Sequence, residues 1–247
     1  MSATLHERAG RALSALHRLR AGGERFVGAF LPGASARRMQ AAAVADEWSA
    51  ANVAARHGPG PLWVVLGDGA SLGLGASTRD SSYVRLVAEA LGVDGRTWRV
   101  VNLASDGADI GDVLTQQLPA LRALAAQDAA DLVTCVVGAA DVLGPARVVE
   151  ARLRALLAAL PEGAVVATLP AVWSTRTSAV LNAAVRDEAV RRGLRVADVW
   201  DASPRRGRWC GATYQPNDVG HARWAAAILG AVRGDTPDRD ASGAAAS

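Results

Sequence analysis

Lysine is missing from this chain: all 27 of its basic residues are arginine. That excludes a Walker-type phosphate loop, a pyridoxal Schiff base and a lysine general base. Cysteine is scarce. Cys135 and Cys210 lie far apart, neither belongs to a CxxC, and Cys135 falls inside the apolar run Leu132 to Val137. The four histidines (His6, His17, His57 and His221) show no ligand spacing, so neither a metal site nor a disulfide framework is expected. No window approaches the ~18 uninterrupted apolar residues of a membrane span. The first twenty residues break their apolar positions with Arg, Glu and His, unlike a secretory signal. A cytoplasmic protein without membrane contact is the expectation. Aromatics make up only 4%. The arginines are scattered among acids, apart from Arg37-Arg38, Arg191-Arg192 and the group Arg205, Arg206 and Arg208. No basic stripe or aromatic RNA motif appears, so nucleic-acid binding is not expected.

What is present points to a globular protein. The chain has 247 residues, 50% hydrophobic and 21% charged, with a net charge of +3. That is enough for one domain with a real core and an extension. Residues 1–60 read as a helical extension. One helix is expected over Thr4–Leu19 and another over Ala34–Arg56, where Met39, Val44, Trp48 and Val53 have near-helical spacing. His57-Gly58-Pro59-Gly60-Pro61 ends it. From residue 61 to 233, short apolar strands alternate with helices. Strands are predicted at Leu62–Leu66, Arg99–Leu103, Leu132–Val137, Ala164–Leu169 and Arg195–Val199. Helices are predicted at Asp80–Leu91, Ile110–Ala125, Arg147–Leu160, Ser178–Arg192 and Asp218–Val232. This is the pattern of an α/β domain, a doubly wound five-stranded parallel sheet covered on both faces. Residues 234–247 read as a disordered tail.

In such sheets ligands gather at the carboxyl ends of the strands. The first strand runs into Gly67-Asp68-Gly69-Ala70-Ser71-Leu72-Gly73-Leu74-Gly75. Its glycines do not fit G-x-G-x-x-G, and the second strand carries no acid at its tip for a ribose. No dinucleotide or other cofactor is expected.

The strand ends resemble something else. Val64-Val65-Leu66-Gly67-Asp68, followed by Gly73, resembles the first block of the GDSL, or SGNH, esterase-lipase family. Asn102-Leu103-Ala104-Ser105-Asp106-Gly107-Ala108 resembles the second. Val136-Val137-Gly138-Ala139-Ala140-Asp141 resembles the third, and Ala212-Thr213-Tyr214-Gln215-Pro216-Asn217-Asp218 the last. The resemblance runs in order from about Pro61 to Val232. It implies the flavodoxin-like SGNH hydrolase fold and an ester-hydrolase pocket. Carried over residue by residue, it places Gly69 at the nucleophilic serine and Ala140 at the oxyanion-hole asparagine. Ala212 and Gln215 fall at the aspartate and histidine of the last block. Only the glycine of the second block, Gly107, is retained.

Each departure removes a chemical capacity. Gly69 cannot form an acyl-enzyme. Gln215 can hydrogen-bond but cannot take a proton near neutral pH. Ala212 cannot orient a base. Losing one oxyanion donor costs roughly 10²–10³ in rate in known cases, and losing a serine triad on the order of 10⁶. No catalytic residue is therefore assigned. The expected protein is a catalytically inactive relative, either binding a small carbonyl- or carboxylate-containing ligand in the former pocket or serving as a protein-interaction or self-associating subunit. The alternative is a weak or non-standard esterase or acyl transferase acting through another residue, such as Ser71, Asp106 or His221.

Further pocket candidates are Asp68, Ser71, Ser105, Asp106, Asp141 and His221. Most have an ordinary structural reading beside the chemical one. Asp68 would support the turn and Ser71 would cap it. Ser105 and Asp106 would be solvated loop residues, and Asp141 a helix-start hydrogen-bond partner. Asp218 is read as the N-cap of the last helix, and His221 as a surface or packing residue. Trp173, Trp209 and Tyr214 are candidates for pocket walls.

Overall fold

The computed structural model describes residues 34–92, 95–142, 144–170, 175–200 and 215–234. The predicted helix Thr4–Leu19, the segment holding Cys210, Ala212 and Tyr214, the two tryptophans Trp173 and Trp209, and the tail after Gly234 lie outside them. The chain divides after Gln40 into two units. Of the first, the described part is the opening of a helix, α1 (Ala34–Ala55). The second, from Ala41 onward, contains the rest of α1 and the sheet domain.

Five parallel strands form one sheet in the order β2-β1-β3-β4-β5. They are β1 (Leu62–Gly67), β2 (Arg99–Asn102), β3 (Leu132–Val136), β4 (Val165–Ala167) and β5 (Arg195–Ala197). The sequence places all five; β1 runs one residue further than expected, and the other four are up to two residues shorter at an end. β1 and β3 are buried along their whole lengths, as strands covered on both faces must be. The strand order reverses between β1 and β3, and sheets of this kind hold their ligands in a crevice at the carboxyl ends beside that switch point.

One face of the sheet is covered by α4 (Ile110–Asp112), a π turn (Val113–Gln117), α5 (Leu118–Ala125), α6 (Ala146–Ala159) and α7 (Thr175–Arg192). Their Ile110, Leu118, Leu153, Leu156 and Leu181 pack on Leu62, Val64 and Leu66 of β1 in one cluster. The other face carries α1, α2 (Gly69–Leu72), α3 (Tyr83–Leu91) and α8 (Asp218–Arg233). There Trp48, Tyr83, Val87, Trp224 and Ile228 pack on Trp63 and Val65. The alternation of β1 sends Leu62, Val64 and Leu66 one way and Trp63 and Val65 the other.

Two predicted elements need correction. The helix expected over Ile110–Ala125 is not uniform but widens into the π turn before Leu118. Pro119 has no N–H for the preceding turn, and the ladder loosens there. The last helix is capped by Asn217, not Asp218: the Asn217 side chain accepts from the Gly220 N–H. Among the described residues no helix is long and apolar enough to cross a membrane.

Candidate functional site

The sheet delivers three loops to the crevice beside β1: residues 67–77 after β1, 103–109 after β2 and 137–142 after β3. The segment leading into α8, with Gln215, meets them. The first loop turns sharply because Gly67 holds φ at +150°. A Cβ there would stand 2.3 Å from both the Ser71 hydroxyl and the Val136 carbonyl, so only glycine fits. The turn starts α2, where the Asp68 side chain caps the helix by accepting the Ala70 N–H at 3.0 Å.

Gly69 is buried in α2 at the head of this turn. A Cβ on it would come 2.8 Å from the Leu74 Cδ1, 2.9 Å from the Asp106 Oδ1 and 3.3 Å from the Gln215 Nε2. Three side chains from three segments therefore converge where a residue-69 side chain would project. The structure brings Gly69, Asp106 and Gln215 together. Gly107 lies beside Asp106 on an exposed turn with φ +75° and open space around it. Ser105 and Ala140 are exposed at the ends of the second and third loops.

The other candidates lie inside the protein. Ser71 is fully buried, and its Oγ accepts from the Tyr83 hydroxyl at 2.7 Å. Burial raises the Tyr83 phenol well above its ordinary value, so it stays a proton donor. His221 is also fully buried. Its Nδ1 accepts the Tyr83 N–H at 3.2 Å, which leaves Nε2 to donate to the Leu74 carbonyl, also at 3.2 Å. Burial lowers its pKa to about 4, so the ring is neutral over most of the pH range. Both residues are thus held inside the protein by Tyr83, and His221 also ties Leu74 of the 67–77 loop to α8. Asp141 is buried and accepts the Ile110 N–H at 3.0 Å, tying the third loop to the start of α4. Asp218 accepts from the Ser77 N–H and hydroxyl at 2.7 and 2.5 Å, and these bonds lower its pKa. It fastens the first loop to α8. Gly75 packs so closely that a Cβ would meet the Pro216 carbonyl at 2.4 Å.

Three residues with no motif to mark them fix the strand ends. Gln117 accepts from the Gly67 N–H at 2.8 Å and donates to its carbonyl at 2.9 Å. Asn182 does the same for Leu169, at 2.6 and 3.0 Å. Asn52 of α1 does it for Asn102, at 2.7 and 2.8 Å. Each primary amide offers one donor and one acceptor, so it completes a backbone pair as a neighbouring strand would. Their partners lie 50, 13 and 50 positions away, which hides the pairing from any local reading.

A parallel five-stranded sheet in the order β2-β1-β3-β4-β5, with helices on both faces and a helix-capping aspartate in the turn after β1, is a doubly wound α/β protein. The sequence matches the model of the GDSL-like lipase/acylhydrolase family over residues 65–223, and the chain belongs to that family. No curated protein sequence matches it at a significant level. Among solved structures, the fold is similar to TesA (18% identity, TM-score 0.58), which covers 70% of this chain and 98% of its own. It is also similar to an acetyl xylan esterase, AlAXEase (17%, TM-score 0.56; 69% of this chain and 99% of that one). A third is the psychrotrophic esterase EstA from Pseudoalteromonas sp. (17%, TM-score 0.55; 70% and 97%), solved inhibited by monoethylphosphonate. At these identities the likeness is one of fold. Among the described residues no three His, Cys, Asp or Glu side chains group as metal ligands would.

Proposed function

We propose that this chain is a non-hydrolytic member of the family that binds a small ligand in the crevice over Gly69. The observation that carries this reading is the surroundings of Gly69. The position where the family resemblance puts a serine has no side chain, and the Asp106 carboxylate, the Gln215 amide and Leu74 close in on the space that one would use. An amide at 215 supplies a hydrogen-bond donor but no base. The two hydroxyl and imidazole groups nearest in sequence, Ser71 and His221, are buried and hydrogen-bonded to Tyr83, which speaks against a substitute catalyst. Gln215 as donor suits a carbonyl group. Asp106 brings a negative charge to the same point, which favours an uncharged carbonyl compound over a carboxylate.

The test compares p-nitrophenyl acetate hydrolysis by the natural protein and by a variant carrying Gly69→Ser, Ala140→Asn, Ala212→Asp and Gln215→His. A silent natural protein beside an active variant supports the reading. Turnover by the natural protein, or its labelling by a fluorophosphonate, refutes it.

A further inference from the structure

The family match begins at residue 65, and α1 lies wholly before it. Yet two side chains of α1 reach the loops of the site. The Trp48 Nε1–H donates to the Leu72 carbonyl at 3.0 Å, the last residue of α2. The ring is buried and held from the other side by the Arg85 guanidinium, 4.8 Å from its centroid. One turn further along, Asn52 clamps the backbone of Asn102. The Asn102 side chain then divides. Its Nδ2 donates to the Ser71 carbonyl at 2.8 Å, and its Oδ1 accepts the Ala104 N–H at 3.1 Å. A continuous set of hydrogen bonds thus joins α1 to both loops that meet over Gly69: to α2 through Leu72 and Ser71, and to the 103–109 loop through Ala104. These carbonyls belong to the last two residues of α2, a helix of only four residues.

We propose that α1 is a positioning element of the site, with Trp48 and Asn52 as its positioning residues. Together they set the relative placement of Gly69 and of the loop carrying Asp106 and Gly107. The domain matched by the family model therefore does not carry the whole determinant of its own crevice. This holds whether the crevice binds or cleaves its ligand.

The test is amide hydrogen exchange on the full chain, comparing the natural protein with Asn52→Leu and Trp48→Phe. The second variant keeps an aromatic ring in place and removes only the donor. The expected result is exchange faster by roughly tenfold or more at the amides of 70–74 and 102–108. The amides of β3 and β4 should keep their rates, so the effect is local and not a general loss of stability. Should Asn52→Leu fail to fold, Trp48→Phe carries the test alone, with acceleration expected at 70–74. Unchanged exchange in these loops, or an equal acceleration in every strand, overturns the proposal.

Discussion

The helix α2 has two sides that differ sharply. Its inner side is a closed polar set: Ser71, Tyr83 and His221, all fully buried and all hydrogen-bonded. Its outer side carries Gly69, facing the ends of Asp106, Gln215 and Leu74. The inner side has one arrangement that satisfies every group. The outer side is lined by the ends of three side chains from three segments. The difference separates what holds the turn from what would act on a ligand.

The largest effect expected on the inner side is from Gly67→Ala. Its Cβ would meet backbone and a buried hydroxyl at 2.3 Å, so unfolding free energy should fall by more than about 4 kcal/mol in urea titration. Next comes pH. His221 has a native pKa of about 4 against an ordinary 6.5. Between those values the unfolded chain takes up a proton that the native state refuses. Stability should therefore be full above pH 6.5, fall as pH drops toward 4, and level off below, a loss of roughly 3 kcal/mol. Urea titrations across that window check it, and His221→Asn should flatten the slope. Tyr83→Phe leaves the Ser71 hydroxyl buried without its donor and should cost about 1–2 kcal/mol. On the outer side Gly69→Ser should cost about 1 kcal/mol, because the obstructing atoms are the movable ends of Leu74 and Asp106. Asp106→Ala should stay within about 0.5 kcal/mol. An outer-side loss as large as that of Tyr83→Phe would erase the contrast.

Much of this was legible in the sequence. Apolar runs at regular spacing located all five strands, because a strand buried on both faces must be apolar throughout. The order of the blocks brought Gly69 and Gln215, 146 positions apart, to one place, since both lie where strand ends and a helix start meet. The supports were not legible. Asn52, Gln117 and Asn182 are polar residues on amphipathic helices, where solvent exposure is the ordinary reading. Only the fold shows that each one faces a strand end. His221 has the same history: the sequence suggests no partners for it, and those at Tyr83 and Leu74 follow from the packing of α8 on α3. The cap of α8 was displaced by one residue because Asn217 and Asp218 are both good caps, and Ser77, 141 positions away, engages Asp218 instead.

The place of β2 in the sheet gives the Asn52 clamp another consequence. β2 is an edge strand. Its Leu103 N–H bonds inward to Val65, so the N–H and carbonyl of Asn102 point outward, where a strand from another molecule could attach. Asn52 occupies that register with a side chain that cannot be extended into a further strand. One rung of this edge is thus taken up by a side-chain amide, and a chain with leucine at position 52 would leave that rung open.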